Sequence, residues 1–345
     1  MEVSFCLKAF AVCCCIFAAM EIANKIFNIQ SEEEFNHCAL EVFRFQAQNN
    51  KVYQQYIDIL GINPKDIIHY KNIPFLPIQF FKSQDIIVEG LIPEVTFSSS
   101  GTTGMITSKH LVAKSSLYIE SFRKAFEEFY GDVKDIAILA LLPSYLERSG
   151  SSLIYMVDDL INRSEKAESG YFLYNHEDLF NRLTELRNSK TKTVLFGVTY
   201  ALLDFIENFN IDFPELIVME TGGMKGKRKE MIREELHEIL CKGFNVPSIH
   251  SEYGMTELLS QGYSSGNGLF KTPNWMKILI RDTNDPLTLL DNKKTGAINV
   301  IDLANYYSCS FIATQDLGKF HSDGSFEILG RFDNSDIRGC NLLVQ

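Results

Sequence analysis

The chain has 345 residues, of which 46% are hydrophobic and 22% are charged. This composition is typical of a folded globular protein and excludes a disordered chain, a collagen and a polytopic membrane protein. Forty-four acidic residues against 33 Lys and Arg give a formal net charge of -11, which disfavours non-specific binding to nucleic acid or to anionic lipid. An anionic ligand must therefore be held by local groups.

The N-terminal residues 1–19 form a separate apolar leader. The run from Ala9 to Met20 follows Lys8 and is similar to the core of a signal peptide, but it is too short to span a bilayer. The alternative is that translation starts at Met20 and that the leader is a mis-assigned start. The cysteines show neither a disulfide framework nor zinc spacing, so we expect a cytoplasmic protein without stable membrane insertion.

The first predicted elements after Met20 are helices. Apolar residues recur at three and four positions from Glu21 to Leu60, and Ser31 with Glu34 forms a capping-box signature. Prolines two to three positions apart in Ile73–Phe81 predict an extended run packed on the core.

A parallel sheet covered by helices is predicted in the middle of the chain, because short apolar runs alternate there with helical patterns. The strands of this sheet are Asp135–Leu142, Thr193–Val198 and Leu216–Met219, and the helices include Ser115–Tyr130 and Lys225–Leu240. Ahead of them, Glu94–Phe97 and Thr107–Val112 are also strand-like. From Lys271 onward the pattern changes to short strands at Met276–Ile280, Gly296–Ile301, Ser310–Ala313 and Ser325–Leu329.

The loop Ser98–Gly104 lies between two of these strands and reads Ser-Ser-Ser-Gly-Thr-Thr-Gly. Its two glycines allow backbone N–H groups to converge, and its hydroxyls add donors, so the loop is suited to cradle a phosphate. It is not a Walker A loop, because Met105 stands where a lysine is expected. A hairpin turn without a ligand is the alternative for this loop taken alone.

A second motif, Ser251–Glu257, follows the strand-like segment Val246–His250. It combines an aromatic ring, a glycine, a hydroxyl and a carboxylate, which are the groups needed to stack a purine, contact a phosphate and hold a divalent cation.

Three further motifs follow strands at the places where ligands bind in open sheets. Glu220–Gly223 contributes a Gly-Gly pair, and Thr314–Gly318 contributes a carboxylate that could accept hydrogen bonds from ribose hydroxyls. Leu329–Asp333 contributes Arg331, which could pair with a phosphate or with the ribose.

Taken in order, these motifs resemble those of the adenylate-forming (ANL) superfamily. From about Met20 to the C terminus the chain resembles the acyl-protein synthetases of the bacterial luminescence type (LuxE-like, long-chain-fatty-acid–luciferin-component ligase type). The signatures that carry this resemblance are Val42–Gln46, Ile78–Lys82, Glu220–Glu230 and Gly330–Asn341. The resemblance implies an α/β fold, in which residues 20–330 form a large domain of helix-covered parallel sheets with a β-rich subdomain. Residues 331–345 would form a hinge-like tail in place of a C-terminal small domain.

The activity implied is ATP-dependent activation of a carboxylic acid, here a fatty acid, as an acyl-adenylate, followed by transfer to a protein thiol. ATP and Mg²⁺ are the implied cofactors. The family-like roles fall on Ser99, Ser100, Gly101, Thr102, Thr103 and Gly104 for the phosphates, and on Thr221, Gly222, Gly223 and Tyr253 with Gly254 for adenine. Thr256 and Glu257 would contact phosphate and Mg²⁺, with Glu257 as the metal ligand, and Asp316 and Arg331 would face the ribose.

The chain departs from the larger superfamily in ending shortly after Arg331, without the C-terminal lysine that assists the first half-reaction there. Arg331, Arg338 or a residue of a partner remain as candidates to replace it. Cys340 lies where the resemblance places the acyl-accepting thiol, and the neighbouring Arg338 would favour its thiolate. A small hydrophobe near the terminus is the alternative for Cys340.

Two other functions stay open at this point. One is an acyl-CoA or carrier-protein thioester ligase of the phenylacetate-CoA ligase type, and the other is a non-catalytic adenylate-binding scaffold subunit. The intact Thr256, Glu257, Asp316 and Arg331 favour an enzyme. An acyl-reductase or acyl-carrier protein is the expected partner, nucleic acid is not, and Trp275 is a candidate for the acyl pocket, with a core position as its alternative.

Overall fold

A computed structural model describes residues 22–99, 107–143, 150–223, 227–229, 231–291 and 294–331 of the chain. The predicted leader, most of the Ser/Thr/Gly loop and the tail beyond residue 331 lie outside these ranges. Within the described ranges, no helix has the length and apolarity that a membrane crossing requires.

Helices α1 (Glu32–Asn49) and α2 (Lys51–Ile59) open the described fold. Ser31 Oγ accepts a hydrogen bond from the Glu34 N–H at 3.1 Å, and the Glu34 carboxylate accepts one from the Gln30 N–H at 2.7 Å. The predicted capping box is thus confirmed, with the glutamate reaching the residue before the cap.

The proline-rich run after α2 is extended only in its first part. Leu76–Pro77 forms the short strand β1, whereas Phe80–Ser83 forms the short helix α3. The expectation of an extended segment through Phe81 is therefore wrong at its end. Pro77 is the last proline of the run, so no ring restricts the residues that follow it.

The middle of the chain builds the parallel half of a large sheet, with strands in the order β5-β4-β6-β7-β8. The strands are β4 (Ala137–Leu141), β5 (Gly170–Phe172), β6 (Thr193–Val198), β7 (Ile217–Thr221) and β8 (His250–Tyr253). Their helices are α4 (Ser115–Tyr130), α5 (Ser152–Arg163), α6 (His176–Asn188), α7 (Thr199–Ile206) and α8 (Arg233–Phe244). Every residue of β4 and of β6 is buried, as expected of strands covered on both faces.

The last part of the chain continues the same sheet with antiparallel strands. These are β9 (Gly262–Ser264), β10 (Phe270–Lys271), β11 (Met276–Arg281), β12 (Thr295–Asp302), β13 (Phe311–Phe320) and β14 (Phe326–Arg331). Strand β8 joins the halves, because it runs parallel to β7 and antiparallel to β9. A separate hairpin consists of β2 (Val95–Ser98) and β3 (Lys109–Val112). The predicted α/β class with a β-rich section is confirmed.

Two element boundaries near the junction differ from the sequence predictions. The strand expected at Val246–His250 is β8 at His250–Tyr253, because Pro247 has no N–H for a ladder. The helix expected from Lys225 begins at Arg233. Ahead of it, the described residues 227–229 are not helical, and the Arg228 guanidinium is held by the carboxylates of Asp204 and Glu207.

Candidate active site

A cavity of about 640 Å³ lies where β7 and β8 end. Its walls come from the end of β2, the start of α5, the loops after β7 and β8, and the adjoining strands β13 and β14. The carboxyl ends of parallel strands are the usual ligand position in open α/β sheets. The volume is within the range of about 300–1,000 Å³ that small-molecule sites occupy.

Residues from several separate motifs meet at this cavity. The predicted site residues that line it are Ser99, Thr221, Gly222, Gly223, Tyr253, Gly254, Thr256, Asp316 and Arg331. Six predicted residues lie outside the described part of the chain, namely Ser100, Gly101, Thr102, Thr103, Gly104 and Cys340. Glu257 is described but does not line the cavity, since its side chain is buried beside Thr256.

The Gly-Gly pair after β7 makes one wall of backbone alone. Gly222 and Gly223 have φ angles of 74° and 65°, in the left-handed region that side chains disfavour. A Cβ built on Gly223 would have no atom of the described residues within 4 Å, so that part of the chain leaves the space beside it open. A flat ligand can therefore approach the main chain closely at this point.

Tyr253, Asp316 and Arg331 form a hydrogen-bonded group on the opposite side, which we call the hairpin end of the cavity. The Tyr253 hydroxyl donates to Asp316 Oδ2 at 2.8 Å, and Arg331 Nε lies 3.3 Å from Asp316 Oδ1. Asp316 and Arg331 are direct cross-strand partners in the β13–β14 hairpin, which explains why two distant motifs act together. Burial, reinforced by the Asp316 charge, holds the pKa of Tyr253 far above its usual range, so its hydroxyl stays a donor.

Ser99 stands at the base of the Ser/Thr/Gly loop, opposite Ser108. The Ser99 N–H donates to the Ser108 carbonyl at 3.0 Å, and Ser99 Oγ accepts from the Ser108 N–H at 2.9 Å. The antiparallel pairing of β2 and β3 leads directly into this contact. The predicted strand–loop–strand arrangement is confirmed, and the base of the loop lies at the cavity.

The segment Thr256–Glu257 is held from behind through its carbonyls. His110 Nδ1 lies 2.8 Å from the Thr256 carbonyl, and Asn305 Nδ2 donates to the Glu257 carbonyl at 2.8 Å. Burial lowers the pKa of His110 to about 4, so the ring is neutral and carries its proton on Nδ1. These contacts orient the Thr256 side of the cavity wall.

Glu257 is the residue predicted to hold Mg²⁺. Burial raises the pKa of its carboxyl, and a hydrogen bond from the Ser108 side chain opposes that rise. Among the described residues no group of three or more His, Cys, Asp and Glu could hold a metal by itself. Mg²⁺ usually takes one or two carboxylates and completes its shell with phosphates and water, so Glu257 suits that ion in chemical type. Glu257 is 6% exposed and does not line the cavity, so its role as the metal ligand stays a prediction.

The structure also brings to the cavity residues that the sequence analysis did not assign. They are Ser98, Tyr118, Ser151, Ser152, Leu153, Met156, Glu252, Met255, Gln261, Ile328 and Gly330. Tyr118 donates from its hydroxyl to the Ser152 carbonyl at 2.9 Å, which ties α4 to the start of α5. Strand alternation around Tyr253 was the available signal for Glu252, whereas nothing local pointed to α4 or α5.

Trp275, Cys38 and Cys309 belong to the core. The Trp275 indole N–H lies 3.0 Å from both the Ser121 and Ser260 hydroxyls, and the residue does not line the cavity. The suggestion that it lines an acyl pocket is therefore wrong, and its core alternative holds. Burial raises the pKa of Cys38 and of Cys309 to about 12, so both thiols are protonated packing groups.

A known protein family resembles this chain over most of its length. A family model described as acyl-protein synthetase, LuxE, matches residues 16–345. The chain belongs to the LuxE acyl-protein synthetase family. The match covers the described fold and the predicted tail, and it begins just ahead of Met20. No protein with a curated description matches this family member in sequence.

Solved structures similar to this LuxE-family chain are adenylate-forming enzymes. ATP-bound MatB from Rhodopseudomonas palustris has 16% identity and a TM-score of 0.53, over 68% of this chain and 47% of that one. 2-Hydroxyisobutyryl-CoA ligase in the postadenylation state has 11% identity and a TM-score of 0.63, over 88% and 68%. The chain thus spans about half the length of the MatB structure. At these identities the likeness establishes the fold, that of the adenylate-forming large domain.

Proposed function

We propose that the protein is an AMP-forming acid–thiol ligase, which activates a carboxylic acid with ATP and passes the acyl group to a thiol. The observation that carries this proposal is the meeting of five motifs at one cavity. The residues that represent them are Ser99, the pair Gly222 and Gly223, Tyr253 with Thr256, Asp316 and Arg331, which come from distant parts of the chain.

The hairpin end supplies groups for the nucleoside. The Asp316 carboxylate, oriented by Tyr253 and Arg331, can accept hydrogen bonds from vicinal ribose hydroxyls. The open backbone at Gly222–Gly223 and the Tyr253 ring are the surfaces proposed for adenine. Thr256, and the Ser99 side of the hydroxyl-rich loop, are proposed to contact the phosphates.

In the first half-reaction a carboxylate oxygen attacks the α-phosphorus. The new acyl–phosphate bond forms while the bond between the α- and β-phosphates breaks, and pyrophosphate leaves with the electron pair. The protein contributes mainly position and charge complementarity to this step. Mg²⁺ bound at Glu257 would neutralise phosphate charge. Arg331 is paired with Asp316, and its side chain is 62% exposed; we propose that it also contacts the phosphates.

In the second half-reaction a thiolate attacks the acyl carbon, the carbon–sulfur bond forms, and AMP leaves. We propose Cys340 as that thiol, on the family resemblance described above. A fatty acid is the proposed substrate class, and Leu153 and Met156 in the cavity wall support an apolar acyl chain. An acyl-reductase is the proposed recipient of the acyl group, inside the cytoplasm.

Two measurements test the proposal. Acid-dependent exchange of labelled pyrophosphate into ATP should occur with the full chain, and Cys340→Ser should keep that exchange. The same variant should lose hydroxylamine-sensitive labelling by radioactive acid and ATP, because a serine hydroxyl without a base is a poor nucleophile. Cys241→Ser, at a partly buried helix cysteine, is the matched control and should keep both activities.

Label that persists in Cys340→Ser would remove Cys340 from the mechanism. Label that is absent from the wild-type protein but appears on CoA would favour a CoA ligase. If no acid supported exchange while ATP still bound, the chain would be an adenylate-binding scaffold and the proposed function would be wrong.

A further inference from the structure

The cavity has a second end, away from the hairpin, that we call the helix end. It is bounded by Tyr118 of α4, by Leu153 and Met156 of α5, and by Glu252 and Gln261 on neighbouring strands of the sheet. Burial raises the pKa of the Tyr118 and Tyr263 hydroxyls, and the Glu252 charge adds to that rise. The Tyr263 hydroxyl lies 4.0 Å from Met156 Sδ. Glu252 therefore faces the helices, whereas Tyr253 points to the hairpin.

Strand alternation explains why these neighbours in sequence face different ways. Glu252 is paired with Tyr263, and Tyr253 with Gly262, across β8 and β9. Gln261 precedes β9 and stands two positions from Tyr263, so it shares the Glu252 face. A Cβ on Gly254 would meet both Glu252 Oε1 and, at 3.4 Å, Gln261 Cγ, which places both side chains around one point.

The polar groups at this end are only partly satisfied by the described residues. Glu252 Oε2 accepts a hydrogen bond from the Thr221 hydroxyl at 2.8 Å, and no salt bridge of Glu252 occurs among the described residues. Gln261 is only 3% exposed, and its Oε1 is buried without a hydrogen-bond partner in the same part of the chain. Burial raises the pKa of Glu252 to about 7, and the Glu220 charge adds to that rise.

Buried polar atoms without partners are costly, and each calls for an explanation. At the hairpin end the corresponding groups satisfy one another, so the helix end stands apart. An amide oxygen can only accept hydrogen bonds, as a carboxylate does, so the partner that Gln261 Oε1 lacks among the described residues must be a donor. The walls at Leu153 and Met156 are apolar, so this donor should be carried on a largely hydrocarbon body.

We propose that the helix end selects a carboxylic acid bearing a hydroxyl or amino group on its chain, with Glu252 as acceptor and Gln261 as second contact. This inference rests on the proposed function and narrows its substrate class. The activated carboxylate would point to the phosphates, and the chain with its donor would point to α4 and α5. A hydroxyl and an amine share the donor chemistry, and the experiment separates them.

The experiment measures pyrophosphate exchange with acids matched in chain length, in unsubstituted, hydroxy and amino forms. Three chain lengths are used, with the substituent at several positions, because the distance from the reacting carboxylate to Glu252 is not known. For the best-placed donor, wild-type kcat/KM should exceed that of the unsubstituted acid by about tenfold or more, the usual value of a hydrogen bond to a charged group. Glu252→Leu should bring this ratio close to one and raise kcat/KM for the unsubstituted acid.

Further variants separate specificity from folding. Glu252→Gln keeps the size of the side chain and one acceptor oxygen. It should therefore retain the preference for the hydroxy-substituted acid and weaken the preference for the amino-substituted acid. Gln261→Leu should reduce the preference in part. Glu238→Gln, at an exposed helix glutamate paired with Lys242, should leave the ratio unchanged. Thermal unfolding of each variant identifies any that has lost its fold.

The pH dependence distinguishes the two donors. Glu252 loses its proton as pH rises through about 7, so KM for an amino-bearing acid should fall between pH 6 and pH 8. The hydroxy acid should show a smaller change, and Glu252→Gln should remove the difference.

Two outcomes would overturn the inference while leaving acid activation intact. One is a wild-type preference for unsubstituted acids, or a donor preference that survives in both Glu252→Leu and Gln261→Leu. The other is a Glu252→Leu variant that raises KM for ATP equally with every acid, because Glu252 would then bind the adenine amino group. If no acid supports exchange, the proposed function fails and the inference fails with it.

Discussion

The two ends of the cavity differ in how their carboxylates are satisfied. At the hairpin end Asp316 accepts from Tyr253 and pairs with Arg331, so its orientation is set before any ligand arrives. At the helix end Glu252 accepts one hydroxyl, and the neighbouring Gln261 oxygen has no partner in the described structure. A preorganised group suits the nucleotide, which is the same in every reaction. An incompletely paired group suits the acid, whose chain determines specificity.

This contrast predicts different kinetic effects for variants at the two ends of the cavity. Substitutions at the hairpin end should lower pyrophosphate exchange by the same factor for every acid, because they act on the nucleotide. Substitutions at the helix end should change the ratio between acids while leaving KM for ATP constant. The following variants of the hairpin end and the Gly-Gly wall test that division, in order of expected effect.

The largest loss is expected for Asp316→Asn. An amide cannot accept from both Tyr253 and Arg331, and it turns an N–H group against one of these donors. Exchange should fall about 100-fold with every acid, since hydrogen bonds to charged groups are worth about 1.5–3 kcal/mol each. Asp323→Asn is the control, because Asp323 caps the turn of the same hairpin through Ser325 and does not line the cavity. A loss of exchange with only some of the acids would contradict the separate roles proposed for the two ends.

A smaller, about tenfold loss is expected for Gly223→Ala, at the backbone wall proposed for adenine. Gly223 and Gly61 have φ angles of 65° and 66°, and a Cβ on either would meet no atom of the described residues within 4 Å. Both alanine variants should lower the free energy of unfolding by about 1–2 kcal/mol, the cost of a left-handed alanine. Only Gly223→Ala should also lower exchange, because its methyl group projects into the cavity. Equal exchange in the two variants would contradict the proposal that adenine binds at this wall.

Much of the fold could be predicted because the signals are local. Helix α4 and strand β6 have the bounds expected from apolar periodicity and from a short apolar run, and the capping box at Ser31 forms. Boundaries set by tertiary contacts could not be predicted in the same way. The basic segment before Arg233 has helical composition, but Arg228 is held instead by Asp204 and Glu207.

The cavity shows the same limit. Motifs such as Thr314–Gly318 and Leu329–Asp333 point to a nucleotide site because their polar residues are visible in sequence. The prediction that Thr314–Gly318 follows a strand is wrong, since the motif lies within β13. The hydrogen bond between Tyr253 and Asp316 depends on how β8 and β13 lie in one sheet, and no spacing predicts it. The unpartnered oxygen of Gln261 could not be predicted for the same reason, since only the packing of the cavity shows that Oε1 has no hydrogen-bond partner among the described residues.

The smallest effect is expected for Tyr253→Phe, which is also the sharpest test of the contrast. The variant keeps the ring and its edge-on contacts with Phe270 and Phe326, and removes only the hydroxyl that donates to Asp316. Exchange should fall about fivefold for every acid, the equivalent of one hydrogen bond of about 1 kcal/mol. Because Arg331 remains beside Asp316, the carboxylate keeps one partner, so the loss should be well below that of Asp316→Asn. Tyr56→Phe is the matched control, since its hydroxyl donates to the Phe75 carbonyl at 3.0 Å away from the cavity lining. It should change thermal stability without changing exchange. If Tyr253→Phe altered the ratio between hydroxy and unsubstituted acids, the Tyr253 hydroxyl would contact the acid, and the two ends would form one continuous substrate site.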